Sequence, residues 1–221
     1  MARSRQEMVR MILDTGVYLV TEDAEPAEKR LGAVSRALSA GARVVQLRDK
    51  RTPRRLLLEE ARRMKALCHR WGAVFIVNDD VALAWAADAD GVHVGQEDLP
   101  VAEARRLLGP DKLIGLSISA VQEALEADRE EVDYIGVGAI FATPTKTDAE
   151  LGGLELLRAV RGRVARPLVA IGGINAGNAR AVFEAGADAV AVVRGVFARP
   201  EIEDAVRELL DIARSAKVER G

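Results

Sequence analysis

Val74-Phe75-Ile76-Val77-Asn78-Asp79-Asp80 runs from an apolar core segment straight into polar residues. Four β-branched or aromatic residues in a row, closed by three polar ones, read as a short strand covered on both faces, because a strand with one wet face would alternate. Leu168-Val169-Ala170-Ile171 repeats the pattern. Working outward, such runs recur at residues 17–20, 43–47, 74–77, 91–94, 113–116, 134–137, 168–171 and 189–192. Each is followed by an Ala-, Leu- and charge-rich stretch of helical length, at 26–40, 53–71, 81–87, 101–108, 121–128, 154–163, 176–185 and 201–213. Parallel strands with helical crossovers account for the alternation. Eight strand–helix units in 221 residues predict an α/β fold, a single-domain (β/α)8 TIM barrel over residues 16–221 with a short N-terminal helical extension over 1–15. An open doubly wound sheet is the competing architecture. No composition break, Gly/Ser linker or low-complexity tract divides the chain.

Hydrophobic residues make up 49% and charged residues 30%, a globular balance. A formal net charge of -2 and 4% aromatics give neither an electrostatic footprint nor a stacking platform for nucleic acid. Cys68 is the one cysteine, so no internal disulfide forms, and its helical context makes it a packing residue. No apolar run approaches the ~20 residues that span a bilayer. The opening MARSRQEMVRMILD lacks a signal peptide's apolar centre, and Glu7 and Asp14 speak against a transit peptide. These features predict a cytoplasmic protein with no nucleic-acid or membrane partner, and are compatible with a homo-oligomer.

A barrel of this kind carries its chemistry at the C-terminal ends of its strands. The second strand ends in Gln46-Leu47-Arg48-Asp49-Lys50. Side chains alternate along a strand, so Gln46, Arg48 and Lys50 share a direction, and two cations and an amide there suit a polyphosphate. A solvated charge run is the plain alternative. Asp79, after the third strand, and Asp98, after the fourth, could face one hard cation such as Mg²⁺. Helix capping is the alternative use of such residues, and Asp80 is assigned to it. His93 lies within the fourth strand and reads as structural. Ser117, at the end of the fifth, reads as a binding hydroxyl, since no nucleophile elbow surrounds it. Thr143, Thr145 and Lys146 sit in a long loop after the sixth strand, where the 141–150 segment is a candidate lid. Gly173, after the seventh strand, and Arg194 and Gly195, after the eighth, occupy the recurrent phosphate position of the fold.

Taken together, VVQLRDK (44–50), FIVNDD (75–80), ADGVHVGQEDLP (89–100), DYIGVGAIFATPTKTDA (133–149), IGGIN (171–175) and GADAVAVVRGVF (186–197) resemble the thiamine phosphate synthase family. The resemblance implies a transferase that joins a hydroxymethylpyrimidine diphosphate to a hydroxyethylthiazole phosphate and releases pyrophosphate. Its partners would be two phosphorylated small-molecule substrates. By that carry-over Gln46, Arg48, Lys50, Asn78 and Lys146 hold the diphosphate, and Asp79 and Asp98 bind one Mg²⁺ per active site. Ser117 lies by the pyrimidine and the leaving group, while Thr143, Thr145 and the Gly173 backbone hold the thiazole phosphate. Arg48, Lys50, Ser117 and Lys146 form the catalytic set. Two departures stand out. The residue after Ser117 is Ile118 where relatives often carry histidine, and Arg194 replaces a common serine. A thiazole tautomerase-like isomerase and a non-catalytic phosphate-binding regulator are the alternatives. Retained Asp79, Asp98 and Lys146 favour the synthase.

Overall fold

The computed structural model describes residues 3–23, 25–143 and 151–219. Eight strands close into an all-parallel barrel in sequence order: β1 Val17–Val20, β2 Val44–Leu47, β3 Val74–Asn78, β4 Gly91–Val94, β5 Leu113–Ile118, β6 Tyr134–Val137, β7 Leu168–Ile171 and β8 Ala189–Val192. Val17 pairs with Val190, which shuts the ring and excludes the open sheet. Ahead of the barrel lies α1 (Arg5–Thr15). The crossovers are α2 (Ala27–Ser39), α3 (Arg54–Arg70), α4 (Val81–Ala86), α5 (Val101–Leu108), α6 (Val121–Ala127), α7 (Gly153–Arg161) and α8 (Ala179–Glu184), with α9 (Arg194–Phe197) and α10 (Ile202–Val218) after β8.

The two-sided burial read from the sequence comes from two cores. Val17, Leu19, Val45, Leu47, Phe75 and Val77 point outward and pack under the helices. Their neighbours Tyr18, Val20, Val44, Val74, Ile76, Leu113, Tyr134, Val169 and Ala189 point inward and fill the barrel. Period-two alternation therefore persists, but both sets are apolar. Met8 and Ile12 of α1 join the inner cluster beside Val44, Val74, Leu113 and Ala189, each at or near the start of its strand. The helix thus plugs the N-terminal end. A capping box between Ser4 and Glu7 starts it, and Gly16 ends it at φ 68°.

Two of the boundaries that differ from the sequence expectation have a visible cause. α8 begins at Ala179 rather than at residue 176, because Asn175 and Asn178 build a turn first: the Asn175 amide donates to Asn178 Oδ1 at 2.9 Å, and the Gly177 amide to Asn175 Oδ1 at 2.9 Å. Local side-chain bonds of this kind compete with helix. α10 runs five residues further than expected, to Val218, because Ala213 and Ala216 continue its buried stripe. The short α9 was not foreseen.

Candidate active site

The inward parity of the strands continues past their C-terminal ends, and there the polar residues gather around one cavity of about 920 Å³. Gln46, Arg48, Lys50, Asn78, Asp79, Asp98, Ser117, Thr143, Gly173, Arg194 and Gly195 all line it. Thr145 and Lys146, with most of the 141–150 loop, lie outside the described residues.

One wall is charged. Arg48 Nη1 stands 3.0 Å from Asp23 Oδ1 but without hydrogen-bond alignment, so this buried nitrogen has no acceptor among the described residues. Arg48 as a residue lines the cavity, and a guanidinium there suits an anionic oxygen. Lys50 Nζ lies 3.2 Å from Asp79 Oδ2 and is over half exposed. The intervening Asp49 points the other way, into a buried cluster with Arg30 and Glu60. The charge run thus splits by parity into a site pair and a structural residue.

Asp79 adopts φ 62°, a left-handed conformation that Asp tolerates better than most residues. Its amide donates to the His93 carbonyl at 2.7 Å, tying β3 to β4 at the rim. Asp80 caps α4 by accepting from the Leu83 amide at 2.9 Å, as the sequence suggested. Asp98 accepts from the Gly95 amide at 2.7 Å. Burial, and then the facing Asp79 carboxylate, push the Asp98 carboxyl above its ordinary range. Two carboxylates held together this way are poised for a cation. Among the described residues no cluster of three or more His, Cys, Asp or Glu gathers for a metal, so the donor set suits neither zinc nor a caged Ca²⁺. Two carboxylates beside an open cavity do fit Mg²⁺, which keeps waters and takes substrate oxygens.

Inside the barrel the sequence reading left a gap. His93 and Ser117 are not isolated: His93 Nε2 lies 2.8 Å from Ser117 Oγ, and His93 Nδ1 lies 3.1 Å from the Tyr134 hydroxyl. Burial pushes the imidazole down to about 4, with Asp98 opposing, so His93 is neutral at physiological pH. Gln46 sits below Arg48 and donates from Nε2 to the Tyr18 hydroxyl at 2.9 Å.

The opposite wall is a glycine cradle. Gly172 and Gly173 adopt φ 111° and 61°, and a Cβ on Gly173 would come within 2.6 Å of the Ala142 carbonyl oxygen. Only glycine permits that close approach. Among the described residues the Gly173 and Ile174 amides have no acceptor, whereas the Asn175 amide is taken up by Asn178. Gly195 packs against the same turn. Arg194 reaches across to Glu22 Oε1 at 2.9 Å and is half exposed.

The family model described as thiamine monophosphate synthase matches residues 17–196, from β1 into α9. The chain belongs to the thiamine monophosphate synthase family. It is 48% identical over 200 residues to a thiamine-phosphate synthase of Chloroflexus aurantiacus, covering 90% of this chain and 92% of the relative. It is 47% identical over 188 residues to one of Moorella thermoacetica, covering 85% and 90%. A solved thiamine phosphate pyrophosphorylase from Pyrococcus furiosus superposes with a TM-score of 0.83 at 37% identity, covering 92% of this chain and 98% of that one.

Membership in the thiamine monophosphate synthase family makes this protein an enzyme, a transferase. Among the described residues no helix is long and apolar enough to cross a membrane. Among the residues that escaped the sequence reading, two follow β1 and pair with arginines that line the cavity. Glu22 pairs with Arg194 and Asp23 with Arg48. The only signal for them was position after the first strand, where every strand end of a barrel is a candidate.

Proposed function

We propose that this enzyme is a thiamine phosphate synthase that couples 4-amino-2-methyl-5-hydroxymethylpyrimidine diphosphate with 4-methyl-5-(2-hydroxyethyl)thiazole phosphate, with Mg²⁺ as cofactor. The observation that carries the reading is the pairing of two anion-binding walls across one cavity. The carboxylates Asp79 and Asp98 with the cations Arg48 and Lys50 form one wall, and the Gly172–Gly173 turn forms the other. Two phosphorylated substrates placed against these walls meet between them.

The thiazole nitrogen supplies the electron pair for the new C–N bond, and the pyrimidine methylene loses its C–O bond to pyrophosphate. No covalent nucleophile on the protein is required. The neutral, buried His93 next to Ser117 fits that economy, since an imidazole held down at about 4 is a weak base. Charge accumulates on the leaving pyrophosphate, so fixed positive charge aimed at it lowers the barrier. Arg48 and Lys50, which line the cavity, supply it, and Lys146 is assigned to the same task. Asp79 and Asp98 would hold Mg²⁺, which when bound neutralises the diphosphate oxygens. The free amides of Gly173 and Ile174, with Thr143 and Thr145, would orient the thiazole phosphate so that its nitrogen is in line.

Pyrophosphate release, measured with both substrates and Mg²⁺, tests this. Release that needs both substrates and yields thiamine phosphate is expected, with kcat falling roughly 10²–10³-fold in Asp79→Ala and in Arg48→Ala. Folded wild-type protein that releases none would overturn the reading and move the weight to an isomerase or a regulator.

A further inference from the structure

A file of hydrogen-bonding side chains crosses the barrel interior and ends at Ser117. Gln46 Nε2 donates to the Tyr18 hydroxyl at 2.9 Å. The Tyr18 and Tyr134 hydroxyls are 2.8 Å apart. Tyr134 lies 3.1 Å from His93 Nδ1, and His93 Nε2 lies 2.8 Å from Ser117 Oγ. Gln46, Tyr18, Tyr134 and His93 are all at most 9% exposed, so water does not compete for these bonds. Both glycines of the adjoining strands make room for the file. A Cβ on Gly115 would come within 2.2 Å of Tyr134 Cζ and 2.4 Å of His93 Nδ1, and one on Gly136 within 2.9 Å of His93 Cε1.

Each hydroxyl has one hydrogen to give, and a neutral imidazole has one N–H and one bare nitrogen. The directions therefore propagate. Tyr18 accepts from Gln46, so its hydrogen goes to Tyr134. Tyr134 then gives its own hydrogen to His93 Nδ1. His93 must carry its proton on Nε2, and that N–H donates to Ser117 Oγ. The Ser117 hydrogen is left over and faces the cavity. Turning the Gln46 amide over would reverse every bond, and Ser117 would spend its hydrogen on His93 and offer the cavity only lone pairs.

We infer that Tyr18, Tyr134 and His93 are positioning residues that fix Ser117 as a hydrogen-bond donor toward the departing phosphate oxygen. The assignment rests on the synthase reading for what Ser117 donates to, but not for the polarity of the file. It gives buried phenols and an imidazole a role that requires no proton transfer. The file acts as a set of fixed dipoles, already aligned before charge develops on the leaving group.

The polarity is measurable without turnover. The chain has two histidines, His69 and His93, so long-range ¹⁵N–¹H correlations on histidine-labelled protein, assigned with a His69→Gln variant, report the His93 tautomer. The Nε2–H tautomer is expected. A Nδ1–H tautomer, or an imidazolium at neutral pH, would overturn the inference whatever the enzyme does. Kinetics then test the link to Ser117. Tyr134→Phe should lower kcat roughly 10–100-fold with KM for either substrate little changed, as loss of one transition-state interaction does. In a Ser117→Ala background the same substitution should cost almost nothing more, since the two act in series. Equal costs in both backgrounds would show a merely structural effect. His93→Gln keeps a donor near the Nε2 position and should retain more kcat than His93→Leu. Should wild-type protein lack synthase activity, the tautomer still decides the polarity, so the two readings fail separately.

Discussion

Asp98 shows how much a single residue's position can state. Burial and the facing Asp79 hold its carboxyl above the ordinary carboxylate range, so the ionised form is disfavoured in the metal-free protein. A group raised on folding binds protons more tightly in the native state, so its contribution to stability declines as pH rises through its folded value. Replacing Asp98 by Asn removes that cost while keeping an oxygen for the Gly95 amide. Asp98→Asn should therefore melt higher than wild type at neutral pH without divalent ions, and lose the stabilisation that Mg²⁺ with pyrophosphate confers on wild type. A melting temperature that rises with Mg²⁺ and pyrophosphate as much in the variant as in wild type would remove Asp98 from the metal site. The carboxylates stood out in the sequence because each lies in a polar run that follows a strand, Asp79 directly after β3 and Asp98 in the loop after β4. The His93–Ser117 contact was not, because it depends on the β4–β5 register, His93 opposite Gly115, and on two glycines whose significance is only the volume they leave empty.

At the scale of elements, α1 is expected from the sequence as a short leading helix, and the packing explains what it does. Arg3, Arg5 and Arg10 dominate this part of the sequence, yet Met8 and Ile12 do the sealing, at 2% and 1% exposure. They close the barrel at the end opposite the cavity. Ile12→Ala should cost about 2–5 kcal/mol in denaturant unfolding, the range for a large core residue cut to alanine. Since the plug lies opposite the cavity, kcat and KM of the folded variant should stay near wild type. A large kcat loss in fully folded Ile12→Ala would mean that the two ends of the barrel are coupled. The strands were legible almost to the residue because both of their faces are apolar. Helix starts were less so: the Asn175–Asn178 turn delays α8, and no periodicity announces it.

Over the whole molecule, function and stability divide between the two parities of one charge run. Arg48 and Lys50 look into the cavity, while Asp49 enters a buried cluster in which Arg30 reaches Asp49 at 2.8 Å and Glu60 at 2.6 Å. That cluster joins α2, the end of β2 and α3, so it braces the wall that presents the cations. Burial would raise the Asp49 carboxyl, but amides of Thr52 and Arg51, the Thr52 hydroxyl and the Arg30 guanidinium hold it down at about 2. A carboxyl depressed on folding stabilises the protein fully above its unfolded value of about 4, and that contribution is lost as pH falls through the folded value. Acid unfolding should therefore draw on Asp49 between about pH 4 and about pH 2. In Asp49→Asn the slope of unfolding free energy against pH should be shallower over that window and unchanged above it. A difference from wild type that stays constant across the window would show that Asp49 is not depressed. Removing the cation is the harsher change, because Arg30→Leu strands two buried carboxylates. It should cost roughly 3–5 kcal/mol at neutral pH, as breaking a buried pair does. The cost should shrink on acidification, as the stranded Asp49 carboxyl takes up a proton, and unfolding curves at two pH values would read this directly.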